Sequence, residues 1–358
     1  MADTLAVFIC AGLDNSMLSK LAFGGMPMLP FGGRMRFIDY ALNNAVLAKA
    51  DAVSVIDGTS SSVVAEYCSG GWRARGVRYY AERNICSALM QAFHDRSAAR
   101  VLIVSADAPA YFDIKAVRSA HAERKVNLIA QGKERYAVSL SQRLFSDAMK
   151  KMYRQELPSG NVIDALVPPL EREFGAANAV VPKGFFGARP SSVYQYYRAV
   201  IDRIPHFQNI YAYTSREIAT WIVHEPESHI ERSANVERTI VADSDRIGGD
   251  VSSSVIAGHV VIEKGASVVN SIILPGNVIA RGASIVNAVI GENDASAQKS
   301  GKTVHENAHI GAACKGAPGK DDAAAVLAGV IVPRNARIPG GSIITAYGAR
   351  ESTKEEME

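Results

Sequence analysis

Two groups of charged residues lie where apolar segments of the chain end. Asp107 follows the apolar run 101–104, and Arg34, Arg36 and Asp39 precede or begin a helical pattern. Open α/β sheets bind ligands at the carboxyl ends of their strands, so both groups are candidate site residues. Asp107 either accepts loop N–H bonds at its strand end or contacts a ligand. The two arginines with Asp39 either form an ion-paired junction that orders the loop, or bind phosphate.

Other residues with reactive side chains fit structural roles better. His305 and His309 have the spacing of a helical metal pair, but Val304 and Ile310 beside them follow a six-residue apolar spacing. We therefore predict that both histidines lie in turns of a β-solenoid. The four cysteines are far apart and form no CxxC motif, which favours reduced thiols in the cytoplasm over a zinc site or disulfides.

The first 200 residues alternate apolar strands with helical patterns. The predicted strands are 5–11, 52–56, 101–104 and 126–130, and the predicted helices are 36–48, 87–95, 113–124 and 191–203. Continuous apolar runs of this length are typical of buried parallel strands. The pattern predicts a doubly wound α/β domain.

The second half of the chain repeats itself. The nine residues from Ile262 return from Ile279, an offset of 17 residues, and the segment from Val236 returns from Val251 at an offset of 15. Aliphatic residues recur about every six positions, with Gly, Asn, Asp or Ser between them. This pattern predicts a left-handed parallel β-helix of stacked hexapeptide coils.

Composition excludes several classes of protein. A net charge of +3 with scattered basic residues argues against nucleic-acid binding. No apolar run is long enough to span a membrane, and the N-terminus has no basic segment of the kind that opens a signal peptide. We therefore expect a cytoplasmic protein. Its predicted parts are an α/β domain over 1–204, a linker over 205–225, the β-helix over 226–348 and a charged tail over 349–358.

One motif resembles a known family. Residues 29–44 read LPFGGRMRFIDYALNN, which is similar to the PFGGxxRxIDxxLSN segment of ADP-glucose pyrophosphorylases, the glucose-1-phosphate adenylyltransferases. The resemblance implies a nucleotidyltransferase-like mixed sheet followed by the β-helix, in a protein of glycogen biosynthesis that is usually tetrameric. It also implies that Gly12 belongs to a triphosphate-binding loop, that Asp107 binds Mg²⁺, and that Arg34 or Arg36 lies near a site for a phosphorylated sugar effector.

The chain departs from this family at the positions that bind the substrates and the metal ion. In the loop 11–18, Met17 stands in place of an arginine, and Asp14 places a negative charge where the triphosphate would lie. Met26 replaces a lysine, and Ala188 replaces a second metal-binding aspartate. The base-reading loop is replaced by residues 84–88, and a hairpin that contacts the sugar phosphate is missing, with 133–135 the only polar group nearby.

These departures predict a catalytically degenerate, regulatory-type subunit. It would assemble with itself or with an active paralogue. One alternative is an active Mg²⁺-dependent glucose-1-phosphate adenylyltransferase with a divergent site. Another is a non-catalytic sensor of a sugar phosphate or nucleotide. Acyl transfer by the β-helix is a weaker alternative, because His259 lies in a short turn and not on an extended loop.

Overall fold

The computed structural model describes residues 4–12, 14, 16–47, 49–73, 75–114, 117, 125–153, 157–158, 160–181, 185–206, 225–294, 301–311, 323–346 and 349–351. Within these residues the chain forms an α/β unit followed by a β-helix. The linker predicted over 205–225 and the helix predicted over 113–124 lie mostly outside the described residues.

The α/β unit is built on a seven-stranded mixed sheet with strand order β3-β2-β1-β4-β7-β6-β8. The strands of this unit are β1 Leu5–Ala11, β2 Ala52–Asp57, β3 Val77–Ala81, β4 Arg100–Ser105, β5 Ala110–Tyr111, β6 Asn127–Gln131, β7 Glu134–Ser141, β8 Asn178–Val180 and β9 Phe186–Gly187. Strands β3, β2, β1 and β4 pair in parallel. Strand β7 runs antiparallel to both β4 and β6, and β5 pairs with β9 outside the main sheet.

Helices cover this sheet, and several of them begin at a polar side chain that caps the helix. The helices are α1 Phe37–Leu47, α2 Ser62–Tyr67, α3 Ile85–Asp95, α4 Gln142–Met152, α5 Val162–Phe174 and α6 Val193–Ile201, with short 3₁₀ turns at Ser19–Leu21, Met26–Met28 and Ile204–His206 and a π turn at Cys68–Trp72. Asn84, Ser141, Asn161 and Ser192 each accept a backbone N–H of the first turn of α3, α4, α5 and α6 respectively. Such caps satisfy donors that a helix start leaves unpaired.

The β-helix has three parallel sheets, one for each side of the coil. Its strands are β10 His229–Ile230, β11 Val236–Glu237, β12 Ile240–Val241, β13 Arg246–Ile247, β14 Asp250–Ser252, β15 Val255–Ile256, β16 Val261–Ile262, β17 Ser267–Val269, β18 Ile272–Ile273, β19 Val278–Ile279, β20 Ser284–Val286, β21 Ala288–Ile290, β22 His309–Gly311, β23 Ala324–Val326, β24 Arg337–Pro339, β25 Ile343–Ala346 and β26 Ala349–Glu351. From β10 to β21 each sheet takes every third strand in turn, as a triangular coil requires; beyond β21, strands β22 and β24 extend one sheet and β23, β25 and β26 extend another.

The register confirms the repeat that we read from the sequence. Val236 pairs with Val251, and Ile262 pairs with Ile279. These pairs match the predicted offsets of 15 and 17 residues; Val251, Ile262 and Ile279 are buried and Val236 is partly buried. Strand β26 lies within the segment that we predicted to be a tail, and it pairs antiparallel with β25.

The two units share one apolar core. Buried residues of the 3₁₀ turns and of α6 belong to the same cluster as the interior of the β-helix. The Tyr197 hydroxyl of α6 donates to the backbone oxygen of Asn270 at 2.9 Å and accepts from the Asn270 side chain at 2.7 Å. Tyr197 therefore lies at the interface and holds the α/β unit against one side of the coil.

Candidate functional site

A cavity of about 720 Å³ lies at the carboxyl ends of the central strands. Its wall includes Asp14 and Asp107 from the loops after β1 and β4, Lys133 and Glu134 from the β6–β7 hairpin, and Arg189 from the segment before α6. This volume is within the range of small-molecule sites. The cavity is therefore the place in the α/β unit where a ligand would bind.

Asp107 is buried at the floor of this cavity. Its Oδ2 atom accepts the Gly12 N–H at 3.2 Å, whereas Oδ1 has no hydrogen-bond partner among the described residues. Burial, together with the nearby negative charges of Asp14 and Asp57, raises the pKa of Asp107 to about 8, and the Gly12 N–H and Arg189 oppose that rise. The carboxyl group is therefore mainly protonated at neutral pH.

The loop after β1 uses its own carboxylates as hydrogen-bond acceptors. Asp14 Oδ1 accepts the Ser16 N–H at 2.8 Å, and Asp14 Oδ2 accepts the Ser16 hydroxyl at 3.2 Å. A phosphate-binding loop points such N–H groups at its ligand. Here the described N–H groups of Gly12 and Ser16 are already bonded to Asp107 and Asp14, so they are not available to a triphosphate.

Arg189 also lines this cavity, although it was not among the predicted site residues. Arg189 follows Ala188, the position where we looked for a second aspartate, and its side chain is ion-paired with Asp164 of α5. Arg135 also lies 3.8 Å from the Asp164 carboxylate. The pairing of Arg189 joins residues distant in sequence, and no local pattern indicated it. Arg189 and Lys133 together give the cavity two positive groups at its wall.

The residues around Asp107 do not form a complete Mg²⁺ site. The described residues contain no group of three or more His, Cys, Asp or Glu side chains that could hold a metal ion. Position 188, where the resemblance implies a second carboxylate, is a buried alanine. Mg²⁺ prefers six oxygen ligands and keeps several waters, and Asp107 offers it one unpartnered oxygen. The described side chains therefore do not form a magnesium site of their own, and an ion beside Asp107 would take its other ligands from water and substrate phosphates.

Arg34 and Arg36, for which the resemblance implied a place near an effector site, do not line the larger cavity. They line a separate cavity of about 270 Å³ between the α/β unit and the β-helix. Arg34 is ion-paired with Asp243 of the β-helix. Arg36 donates to the Met28 backbone oxygen at 2.6 Å and to Glu292 at 3.1 Å. Each guanidinium group is therefore ion-paired with a carboxylate of the β-helix.

Asp39 supports this second cavity from inside α1. It accepts the Arg36 N–H at 2.8 Å and the Tyr67 hydroxyl at 2.5 Å. Burial raises the pKa of Asp39 to about 6, against the opposing effect of these two hydrogen bonds and the Arg36 charge. Asp39 therefore orders the start of α1 through the Arg36 backbone N–H, whereas the ion pairs of Arg34 and Arg36 are with Asp243 and Glu292 of the β-helix and not with Asp39.

The cysteines near the larger cavity are buried. Burial and the neighbouring Asp107 raise the pKa of Cys10 well above its usual value, and burial raises that of Cys86 to about 11. Both thiols stay protonated at neutral pH, which makes them poor nucleophiles. They have structural roles. His309 is the first residue of strand β22, so it lies in the β-helix, but in a strand and not in the turn that we predicted.

Comparisons with known proteins agree with the architecture. Residues 222–313 match a family model described as GlmU-like, C-terminal hexapeptide. The chain is also similar to the glucose-1-phosphate adenylyltransferases of two Aliivibrio fischeri strains, MJ11 and ES114, each 30% identical over 77 residues, or 22% of this chain and 19% of the relative. The aligned part thus spans about a fifth of the relatives' length. These matches support a nucleotidyltransferase-like protein with a hexapeptide-repeat domain. Among the described residues, no helix is both long and apolar enough to cross a membrane.

Proposed function

We propose that this protein is a non-catalytic regulatory subunit of the glucose-1-phosphate adenylyltransferase type, which acts in glycogen biosynthesis by assembling with itself or with an active paralogue. The observation that carries the proposal is the loop after β1. The N–H groups of Gly12 and Ser16 in this loop are bonded to Asp107 and Asp14 respectively, and no lysine or arginine occurs in residues 11–18.

The physical reason is electrostatic. In-line transfer at a phosphate is catalysed by positioning and by cations that neutralise the developing charge. At 4 Å, two like charges repel by about 4 kcal/mol at the effective dielectric constant of a protein surface. The Asp14 carboxylate would impose a penalty of this order on a triphosphate bound in the usual place. The two wall cations, Lys133 and Arg189, lie on a cavity that Asp14 and Glu134 also line.

The β-helix supports a role in assembly. A β-helix offers flat sides for subunit contacts, and this one is joined to the α/β unit by buried apolar residues and by Tyr197. A subunit of this kind would change the effector response of its partner through their contact, and the coupling would be reciprocal.

Mixing experiments test the proposal. The protein is combined with an active glucose-1-phosphate adenylyltransferase from the same source, and complex formation is followed by sedimentation. We expect a mixed oligomer whose response to phosphorylated sugar effectors differs from that of the active enzyme alone. An unchanged response, or no association at concentrations of a few micromolar, would rule out the regulatory-subunit proposal.

A second candidate function is a sensor of a sugar phosphate. The unpartnered Oδ1 of buried Asp107 could accept a sugar hydroxyl, while Arg189 and Lys133 could meet a single phosphate group. Ligand binding to the native state raises the melting temperature, and above the Kd the stabilisation grows with the logarithm of the ligand concentration. A thermal shift with glucose 1-phosphate that Asp107→Asn and Arg189→Gln both abolish would support this function. No shift at millimolar ligand would remove it.

A further inference from the structure

One segment, residues 14–28, of which all but residue 15 are described, joins the ligand cavity to the β-helix. At the cavity end, the Ser19 hydroxyl donates to the backbone oxygens of Asp14 at 3.0 Å and Ser16 at 2.8 Å. Leu18 and Met26 line the cavity. Both are also buried in the core that the α/β unit shares with the β-helix. The wall of the cavity and the domain interface are therefore made partly by the same side chains.

At the other end, this segment is bonded to the backbone of the β-helix. The Glu292 N–H donates to Leu21 O at 2.8 Å, and the Ala328 N–H donates to Lys20 O at 3.0 Å. In return, the Phe23 N–H donates to the Glu292 carboxylate at 2.7 Å. The 3₁₀ turn at Ser19–Leu21 is thus held against two adjacent coils of the β-helix.

Glu292 also forms an ion pair with Arg36, which follows this segment in the sequence. Its Oε1 atom accepts from Arg36, and the two side chains are 10% and 20% exposed respectively. Arg36 in turn donates to the backbone oxygen of Met28, the last residue of the segment. A single, largely buried carboxylate of the β-helix therefore holds both the middle and the end of residues 14–28.

We propose that residues 14–28 form a link that couples the conformation of the loop at the ligand cavity to the packing of the β-helix against the α/β unit. The Glu292 carboxylate holds this link in place. The link does not depend on what the cavity binds. Charge-assisted hydrogen bonds in buried surroundings are costly to break. Loss of the Glu292 carboxylate therefore releases the whole of residues 14–28 from the β-helix. By reciprocity, a change in the loop at Asp14 and Ser16 loosens the contact at Glu292.

Amide hydrogen exchange of the full chain tests the link with Glu292→Gln. The matched control is Glu263→Gln. Glu263 is another carboxylate of the β-helix. It accepts the Arg281 backbone N–H at 2.9 Å and forms an ion pair with Lys302 at 3.4 Å, and it does not contact residues 14–28. We expect Glu292→Gln to accelerate exchange across residues 12–28 about tenfold. The control leaves those residues unchanged.

The reverse direction is tested with Ser16→Ala, which removes the hydroxyl that braces the loop. Ser191→Ala, on another wall of the same cavity, is its control. Ser16→Ala should raise exchange at residues 290–294, and the control should not. If Glu292→Gln does not fold, Glu292→Asp keeps the charge, shortens the reach and serves in its place. Acceleration confined to 20–23 and 290–294, with residues 12–18 protected as before, would overturn the proposal.

Discussion

Replacement of Asp107 by asparagine gives a direct test of the electrostatics of the larger cavity. Asp107 is 6% exposed, and one of its oxygens accepts the Gly12 N–H at 3.2 Å. Asparagine has nearly the same shape, and its oxygen can accept the same bond. It cannot ionise. The variant therefore removes the titration of this carboxyl group and leaves the surrounding packing in place.

The sign of the effect follows from the pKa of Asp107, which burial raises from 3.8 to about 8 in the folded protein. Between those values the folded state binds the proton more tightly than the unfolded state does. The stability due to the protonated carboxyl group is thus fully present below about pH 4 and is lost as the pH rises through 8. Four pKa units correspond to roughly 5 kcal/mol, so Asp107→Asn should gain stability over wild type by several kcal/mol across this window.

Denaturant unfolding at pH 5, 6, 7 and 8 measures the difference between the variant and wild type. Asp39 and Asp245 have raised pKa values in both proteins, so their contributions cancel in the difference. Asp202→Asn, at an exposed carboxylate paired with Arg198, is the control and should show little change with pH. A stability difference for Asp107→Asn that stays constant from pH 5 to pH 8 would refute the reasoning.

Two further predictions concern the β-helix. Tyr197→Phe removes the hydroxyl that bonds twice to Asn270, and it should lower the unfolding free energy by about 1–3 kcal/mol in calorimetry; an unchanged melting temperature would show that this contact does not hold the two units together. Gly276→Ala places a methyl group 1.9 Å from the Asn293 backbone oxygen at a φ of +74°, whereas Gly132→Ala, at a φ of +61°, meets nothing within 4 Å. The first should therefore be clearly the more destabilising in urea unfolding, and equal losses would contradict the close approach of the two coils.

The β-helix was predictable because its determinants repeat. Each coil buries the same positions, so aliphatic residues recur at the coil length, and the offsets of 15 and 17 residues appear directly as the pairs Val236 with Val251 and Ile262 with Ile279. The polar segments 294–302 and 315–322 of the sequence interrupt this repeat, and they fall between strands β21, β22 and β23. Periodicity of this kind survives without any knowledge of long-range contacts.

The α/β sheet was predicted less completely. The strand predicted over 126–130 is present as Asn127–Gln131, but its partner β7 was missed, and the two form an antiparallel hairpin. An apolar run indicates burial and not the direction of its neighbour. The tight turn at Gly132 and Lys133 was the available signal.

At the site too, local features could be predicted from the sequence and long-range contacts could not. The negative charge of Asp14 was visible in the sequence, and its bonds to Ser16 are local. The contacts of Arg34 with Asp243 and of Arg36 with Glu292 join residues more than 200 positions apart. Only the folded chain brings these groups together, so the sequence alone could not show that both arginines are neutralised.

The central claim is that the α/β unit cannot catalyse transfer at a triphosphate. The most direct measurement is pyrophosphate release by the purified protein with ATP, glucose 1-phosphate and Mg²⁺, compared with an Asp107→Asn variant. We predict release at the background rate from both proteins. Turnover of about one per second or faster that Asp107→Asn abolishes would contradict the claim and would identify an active glucose-1-phosphate adenylyltransferase with a divergent site.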